Sequence, residues 1–386
     1  MTHTADVLII GGGVQGASLA FALAQRGVQV TVLEKSFVGA GATGRSSGLV
    51  RMHYDTEVAA RLAWASFHYF RNWKEMVGGE CGFTRTGFLQ IGGVEREEAL
   101  KANVAMHQRI GIATFLITAD DVKRLAPAFA TDDFTLAAYE PESGYAMPSD
   151  TANALMTAAR GRGARLVQGC TVSAIHVTGG KVTGVSSNQG EFAAPVVVNA
   201  AGAWAQPVNQ MVGLDLPLTT WRHDTMFVVR PREIGPSHPA VIDYANEMYF
   251  RPEGSLTLVG LEDGNPLGEA PDEGAGHALP GFVERAIERI CRRVPAMERG
   301  HLQSAHGGYD GITSDQHPML GAAGPDGFYL DCGHSGTGFK TAPAIGLCMA
   351  ELILDGAAHT VDISPYAPER FTEGKLIKGN YENIWR

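Results

Sequence analysis

Gly11, Gly13 and Gly16 form the pattern G-x-G-x-x-G directly after the apolar run Val7-Leu8-Ile9-Ile10. A carboxylate, Glu34, follows about 20 residues later. In that setting each glycine has a chemical use. The first permits a tight turn, the second lets a pyrophosphate reach the backbone, and the third lets the following helix lie against the strand, with phosphate charge at the helix N-terminus. Glu34 suits the two hydroxyls of a ribose and would repel a 2′-phosphate. A glycine triplet alone also occurs as a plain turn, but strand, helix and acid together point to a bound dinucleotide. The unit does not by itself separate FAD from NAD.

Two further segments bear on that choice. Gly41-Ala42-Thr43-Gly44-Arg45-Ser46-Ser47-Gly48 offers small residues and hydroxyls suited to an extended cofactor, with an ordinary surface loop as the alternative. Gly333-His334-Ser335-Gly336-Thr337-Gly338 precedes the last helix, whose N–H groups would face an anion. Reduced flavin is such an anion, whereas a nicotinamide needs no second glycine turn; a plain tight turn is again the alternative. His53, His223, His306 and His317 read best as ordinary hydrogen-bonded histidines, and His334 is divided between that and a site role.

These segments need a scaffold. Val7–Ile10 reads as a strand buried on both faces, residues 14–26 as a helix capped by Gly27, and residues 28–33 as a second buried strand: one βαβ unit. An amphipathic helix is predicted over 57–76, strands over 84–92 and 134–140, and helices near 95–110 and 119–126. Pro148 opens a helix to about residue 162, and 165–177, 181–187 and 191–198 read as strands. Alternation at 225–230, 248–251 and 255–260 marks an antiparallel sheet, with a helix at 281–292 to cover it. A strand at 327–332 and a helix at 339–354 complete the pattern.

The composition limits what this scaffold can serve. With 386 residues, 45% hydrophobic and 19% charged, a sizeable core forms and a disordered chain is excluded. A net charge of -10, from 31 basic and 41 acidic residues, disfavours nucleic acid and anionic membrane surfaces. The five cysteines are widely spaced without a C-x-x-C pair, so neither a disulfide framework nor a metal cage is written here. No apolar stretch approaches the ~18 residues that span a bilayer, and the expected localisation is cytoplasmic, without membrane insertion.

Taken together, the fingerprint with Glu34, the segment from Gly41 to Arg51, the run Val196-Val197-Val198-Asn199-Ala200-Ala201-Gly202-Ala203-Trp204 and the terminal Gly333–Lys340 segment resemble the D-amino-acid oxidase superfamily of FAD enzymes, most of all its sarcosine oxidase branch. The resemblance covers nearly the whole chain. It implies a mixed α/β fold: a discontinuous Rossmann-like FAD-binding domain (residues 1–83, 145–215 and 300–386) and an antiparallel-sheet substrate domain (84–144 and 216–299). It implies FAD contacts at Gly11, Gly13, Val14, Gln15, Gly16, Glu34 and Lys35. It extends them through Thr43, Gly44, Arg45, Ser46, Ser47 and Gly48, to Val172, Ala201, Gly202 and Trp204, and to Gly336, Thr337, Gly338, Phe339 and Lys340. Arg51 and Lys340 match the two cations that grip a substrate carboxylate in that branch, and Tyr249 matches a site tyrosine.

The departures from the pattern matter too. Where glycine and D-amino-acid oxidases keep a carboxylate-binding arginine, this chain has Asp310; where monomeric sarcosine oxidases attach FAD to a cysteine, it has Gly308; and Ser255–Gly260 lacks their oxygen-activating lysine. The resemblance therefore implies dissociable FAD and oxidation of a small amino acid at its Cα–N bond, foremost a secondary amine such as sarcosine or iminodiacetate. The imine would hydrolyse to an amine plus an aldehyde or α-keto acid, with O₂ or an electron-carrier protein as acceptor. Glycine or D-amino-acid oxidation, a subunit of a heteromeric dehydrogenase and a non-catalytic FAD-binding redox sensor stay open, as does a homo-oligomer.

Overall fold

The computed structural model describes residues 3–262, 264–272 and 276–381. Val7–Ile10 is a strand whose side chains alternate between two cores, Val7 and Ile9 packing on one face and Leu8 and Ile10 on the other. That double burial fits the centre of a parallel sheet. Its sheet has six strands in the order Arg165–Gln168, Val30–Glu34, Val7–Ile10, Val196–Asn199, Phe328–Cys332 and Met319–Ala322, all parallel except the last. On one face lies helix Val14–Gln25, flanked by Pro148–Arg160 and Gly338–Asp355. Gln15 donates to the Gly338 carbonyl at 2.8 Å and Ser18 to the Ala342 carbonyl at 2.7 Å, so the first and last of these helices run side by side with their N-termini at the same end of the sheet.

The second large sheet has eight strands: His301–Thr313, Leu218–Val229, Leu256–Leu261, Met248–Glu253, Ala240–Asp243, Phe88–Ile91, Leu136–Glu140 and Phe115–Thr118. All its pairings are antiparallel except that of Ala240–Asp243 with Phe88–Ile91. Helix Phe282–Arg293 covers it, and buried Arg293 bonds Asp243 at 2.7 Å and Asp133 at 2.7 Å. Among the described residues no helix is long and apolar enough to cross a membrane.

Three differences from the sequence reading stand out. The segment 165–177 is two strands, Arg165–Gln168 and Val172–Thr178, in different sheets, and 191–198 likewise divides into Gly190–Ala193 and Val196–Asn199. The helix over 57–76 breaks at Asn72. Residues 301–313, unassigned from sequence, form the longest strand of the eight-stranded sheet, so by sheet membership the chain crosses back to the parallel sheet between Thr313 and Met319. Its exposed, polar first half hides the alternation that marks a strand.

Candidate active site

The turn after Val7–Ile10 is shaped by close backbone approach. Gly11 has φ +112°, and a side chain there would run into the Ala200 carbonyl; one at Gly16 would run into the carbonyl of Gly11. The Gly12 and Ser36 N–H groups donate to the two oxygens of Glu34 at 2.6 and 2.7 Å, which fixes the carboxylate at the end of its strand. Val14 N donates to Thr43 Oγ1 at 3.0 Å, tying the helix start to the second glycine segment.

At the other end, the turn before the last helix is held from the eight-stranded sheet. Asp310 accepts from Gly336 N at 2.7 Å and Gly311 N at 2.8 Å, so its carboxylate has a structural role. Gln15 Nε2 donates to the Gly338 carbonyl at 2.8 Å, and His334 Nε2 meets Asp331 Oδ1 at 3.0 Å. The two glycine turns are thereby joined across the sheet end.

Between them lies a cavity of about 590 Å³. Its wall includes Gly11, Gly13, Val14, Gln15, Glu34 and Lys35 from the first turn, Thr43, Arg45, Ser46 and Ser47 from the second segment, and Val172, Ala201, Gly202 and Trp204 between. Gly336, Thr337, Gly338, Phe339 and Lys340 complete it, with Arg51 and Tyr249. Gly16, Gly44 and Gly48 do not line it. They serve packing instead: side chains at Gly44 and Gly48 would meet the carbonyls of Gly39 and Ala146. Sequence reasoning missed Glu262, Trp221 and Ile242 on the wall, and read His223, which also lines it, as an ordinary histidine. They come from the eight-stranded sheet, where the only signal is a polar residue among alternating apolar ones.

Arg51 follows a short strand, Leu49–Val50, and is buried. Its guanidinium donates to the His53 carbonyl and lies over the Tyr54 ring, 4.4 Å from the centroid. The segment it belongs to is pinned from three sides: Met52 N donates to Glu140 at 2.9 Å, His107 Nε2 meets the Tyr54 carbonyl at 2.6 Å, and His53 Nε2 meets Tyr381 Oη at 2.8 Å. Burial pulls the Arg51 pKa down, but Tyr54, Tyr244, Glu140 and Glu262 outweigh it and hold the group above the ordinary guanidinium value. Lys340, which donates to the Gly336 carbonyl at 3.1 Å, is pushed well below the lysine range by burial and by Arg51, against Glu262 and Asp310. Burial, with Glu262 and Asp224, keeps the Tyr249 phenol protonated, and burial lowers His223 to about 4.

His53, His107 and Glu140 bring ligand atoms within 4.8 Å of one another behind Arg51. Burial lowers His107 to about 4, so its ring is neutral at pH 7. A second cavity of about 400 Å³ shares Arg51, Ser335 and Thr337 with the first and includes His317. His306 instead bonds Thr225 at 3.1 Å.

A cleft bounded by a glycine turn and a fixed carboxylate at one end and by a buried arginine and lysine at the other is matched by a known sequence family. Residues 6–352 fit the model of the DAO family, FAD dependent oxidoreductase. The chain belongs to that family. Human mitochondrial sarcosine dehydrogenase is 30% identical over 96% of this chain, which spans only 42% of that relative's length. Sarcosine oxidase subunit beta from Arthrobacter is 27% identical, over 96% of this chain and 92% of that one. The crystal structure of L-proline dehydrogenase from P. horikoshii superposes with a TM-score of 0.91 at 27% identity, covering 98% of this chain and 100% of that one.

The family's cofactor is FAD, and the residues present fit it. Gly11 leaves room at the backbone for a pyrophosphate, Glu34 lines the cavity where it would accept from a ribose, and the buried His223 Nε2 on the wall has no hydrogen-bond partner among the described residues.

Proposed function

We propose that this chain oxidises a small amino acid at its Cα–N bond, with sarcosine or another N-substituted glycine as the foremost substrate and FAD held without a covalent link. The observation that carries the proposal is that Arg51, Lys340 and Tyr249 share one cavity with the dinucleotide cradle. Bound there, FAD supplies the acceptor for a hydride equivalent. The protein's own work is positional. Arg51 presents a fork to the substrate carboxylate and Lys340 a second donor, so that the Cα–H bond is presented in one orientation. Tyr249, kept as a phenol, supplies a donor at the same wall, and the surrounding Ile242, Phe339 and Trp221 exclude water.

Loss of hydride and of the amine proton leaves an imine, which hydrolyses to an amine plus an aldehyde or α-keto acid. O₂ or an electron-carrier protein takes the electrons. Gly308 lines the cavity and offers no thiol for attachment, which supports dissociable FAD. The parallel sheet and its helices form the cofactor half, the eight-stranded sheet the substrate half. The similarity to sarcosine and proline dehydrogenases supports a secondary amine. Similarity to a sarcosine oxidase β-subunit favours a second reading, in which the chain works within a heteromeric enzyme; co-purifying subunits would reveal it.

The test is anaerobic mixing with sarcosine, proline, iminodiacetate, glycine and D-alanine while following the flavin band near about 450 nm. Fastest bleaching by sarcosine or proline is expected. A protein that carries FAD but is bleached by none of them is not an amino-acid oxidoreductase.

A further inference from the structure

Arg51 stands on the wall of two cavities. Besides the cofactor cleft it lines the second cavity, of about 400 Å³, together with His53, Tyr54, Ser335 and Thr337. The residues that fit FAD run along the first cleft from Glu34 to Lys340, so bound cofactor takes up the way along it to Arg51. Arg51 and Lys340 are each 7% exposed and Tyr249 8%. An amino acid needs another path to them.

The second cavity has the form of such a path. Its inner end is Arg51; its outer end carries Lys378, which is exposed, and Asp55 and Gln316, which are half-buried. A carboxylate thus meets a cation at either end. His53 on the wall is 1% exposed, and its Nδ1 has no hydrogen-bond partner among the described residues, a state that water or a polar ligand relieves. Gln316 and Ser335 hold φ of +62° and +52°, a strained conformation that clusters at ligand clamps. One side of the cavity is formed by residues 377–381, which are neither helix nor strand. Tyr381 Oη meets His53 Nε2 at 2.8 Å, Asn380 Nδ2 donates to Asn103 at 2.7 Å, Ile377 N donates to Asp315 at 3.3 Å and Tyr381 N to Asp55 at 3.4 Å. A wall held by a handful of such bonds opens at less cost than a sheet or helix.

We propose that the second cavity is the entrance for the substrate: a small amino acid passes Lys378 as residues 377–381 give way, and its carboxylate reaches Arg51 from this side. The proposal rests on the reading of Arg51 as carboxylate anchor above and adds the route to it. Residues 377–381 are then a gate, latched by Tyr381 on His53. A gate changes how fast a ligand arrives and leaves by the same factor, and leaves the affinity of the bound state alone.

The experiment follows acetate binding to the FAD-loaded protein by stopped flow, read as perturbation of the flavin spectrum, so that no oxidation is required. Ile377→Trp narrows the second cavity at a residue that does not line the first. Acetate is expected to associate and to dissociate about tenfold more slowly than in the parent, with Kd unchanged within about twofold. Flavin reduction at saturating sarcosine is expected to keep its rate. Unchanged association and dissociation rates overturn the proposal, as does a Kd that weakens through faster dissociation, because the residue then supports the bound state and not the route. Should Ile377→Trp fail to fold, Tyr381→Phe decides: releasing the latch is expected to speed both rates about threefold or more at equal Kd, and rates equal to the parent's overturn the route. A parent whose flavin responds neither to acetate nor to any amino acid overturns the reading of Arg51 and its site, which is a different result from an acetate response that Ile377→Trp leaves untouched.

Discussion

Arg51 remains charged in a place where burial alone would disfavour it, because Tyr54, Tyr244, Glu140 and Glu262 surround it. A charge kept in a dry wall at that cost acts strongly on whatever shares the cavity. Arg51→Lys keeps the charge and loses the planar fork, and the concentration of sarcosine that half-saturates reduction should rise about tenfold; Arg51→Ala should raise it about a hundredfold. If the alanine variant is reduced as readily as the parent, Arg51 is no anchor. Lys340 adds a pH dependence. Its pKa is depressed, so the ammonium exists only below a value well under the ordinary lysine range. Acetate, which carries no titrating amine, should therefore bind more weakly as pH rises through that value. Lys340→Met should flatten the profile as well as weaken binding, and an unchanged profile would show that another group titrates.

At the scale of elements, the glycines at the two ends of the first helix do different jobs. Gly16 meets the Gly11 carbonyl across the turn, whereas Gly27, at φ +78° after the first helix, faces open space. Gly16→Ala should thus abolish FAD retention, leaving a colourless protein, while Gly27→Ala should cost about 1 kcal/mol and keep the colour. Retention of normal FAD content by Gly16→Ala would contradict the packing role. The same contrast explains what could be read from sequence. The βαβ unit was legible because strand, turn, helix and Glu34 are contiguous and their periodicity changes sharply within one short segment. The places of Glu262 and His223 were not, because one follows and the other lies in a strand of a sheet assembled from distant parts of the chain, and only pairing brings them to the cavity. Strand His301–Thr313 escaped notice for a related reason: its outer half is exposed and polar, so burial does not impose a pattern.

For the whole molecule, the return from the eight-stranded to the parallel sheet is locked by a buried ion pair. Asp315 accepts from Arg370 Nε at 2.7 Å and Nη2 at 3.0 Å, and both residues are nearly inaccessible. Burial raises the Asp315 pKa, yet Arg370 outweighs it and the net shift is downward. A folded pKa below the unfolded value means stability that is present above the unfolded pKa of about 3.9 and lost as pH falls through the folded one. Asp315→Asn should lower stability at pH 7 by about 3–5 kcal/mol, because a buried guanidinium is left uncompensated, and should shrink the fall in Tm between pH 5 and pH 3. Thermal melts of both proteins across that range check the sign; an equal acid-side slope would place the loss elsewhere.

The side-by-side helices Val14–Gln25 and Gly338–Asp355 direct their positive ends toward one mouth of a chain whose formal charge is -10. An incoming anion meets long-range repulsion first and local attraction only on arrival. Added salt screens the former more than the latter, since the Debye length falls to about 8 Å at physiological ionic strength. Reconstitution of the colourless protein with FAD should accordingly run faster at 150 mM than at 10 mM salt, the reverse of the usual electrostatically steered encounter.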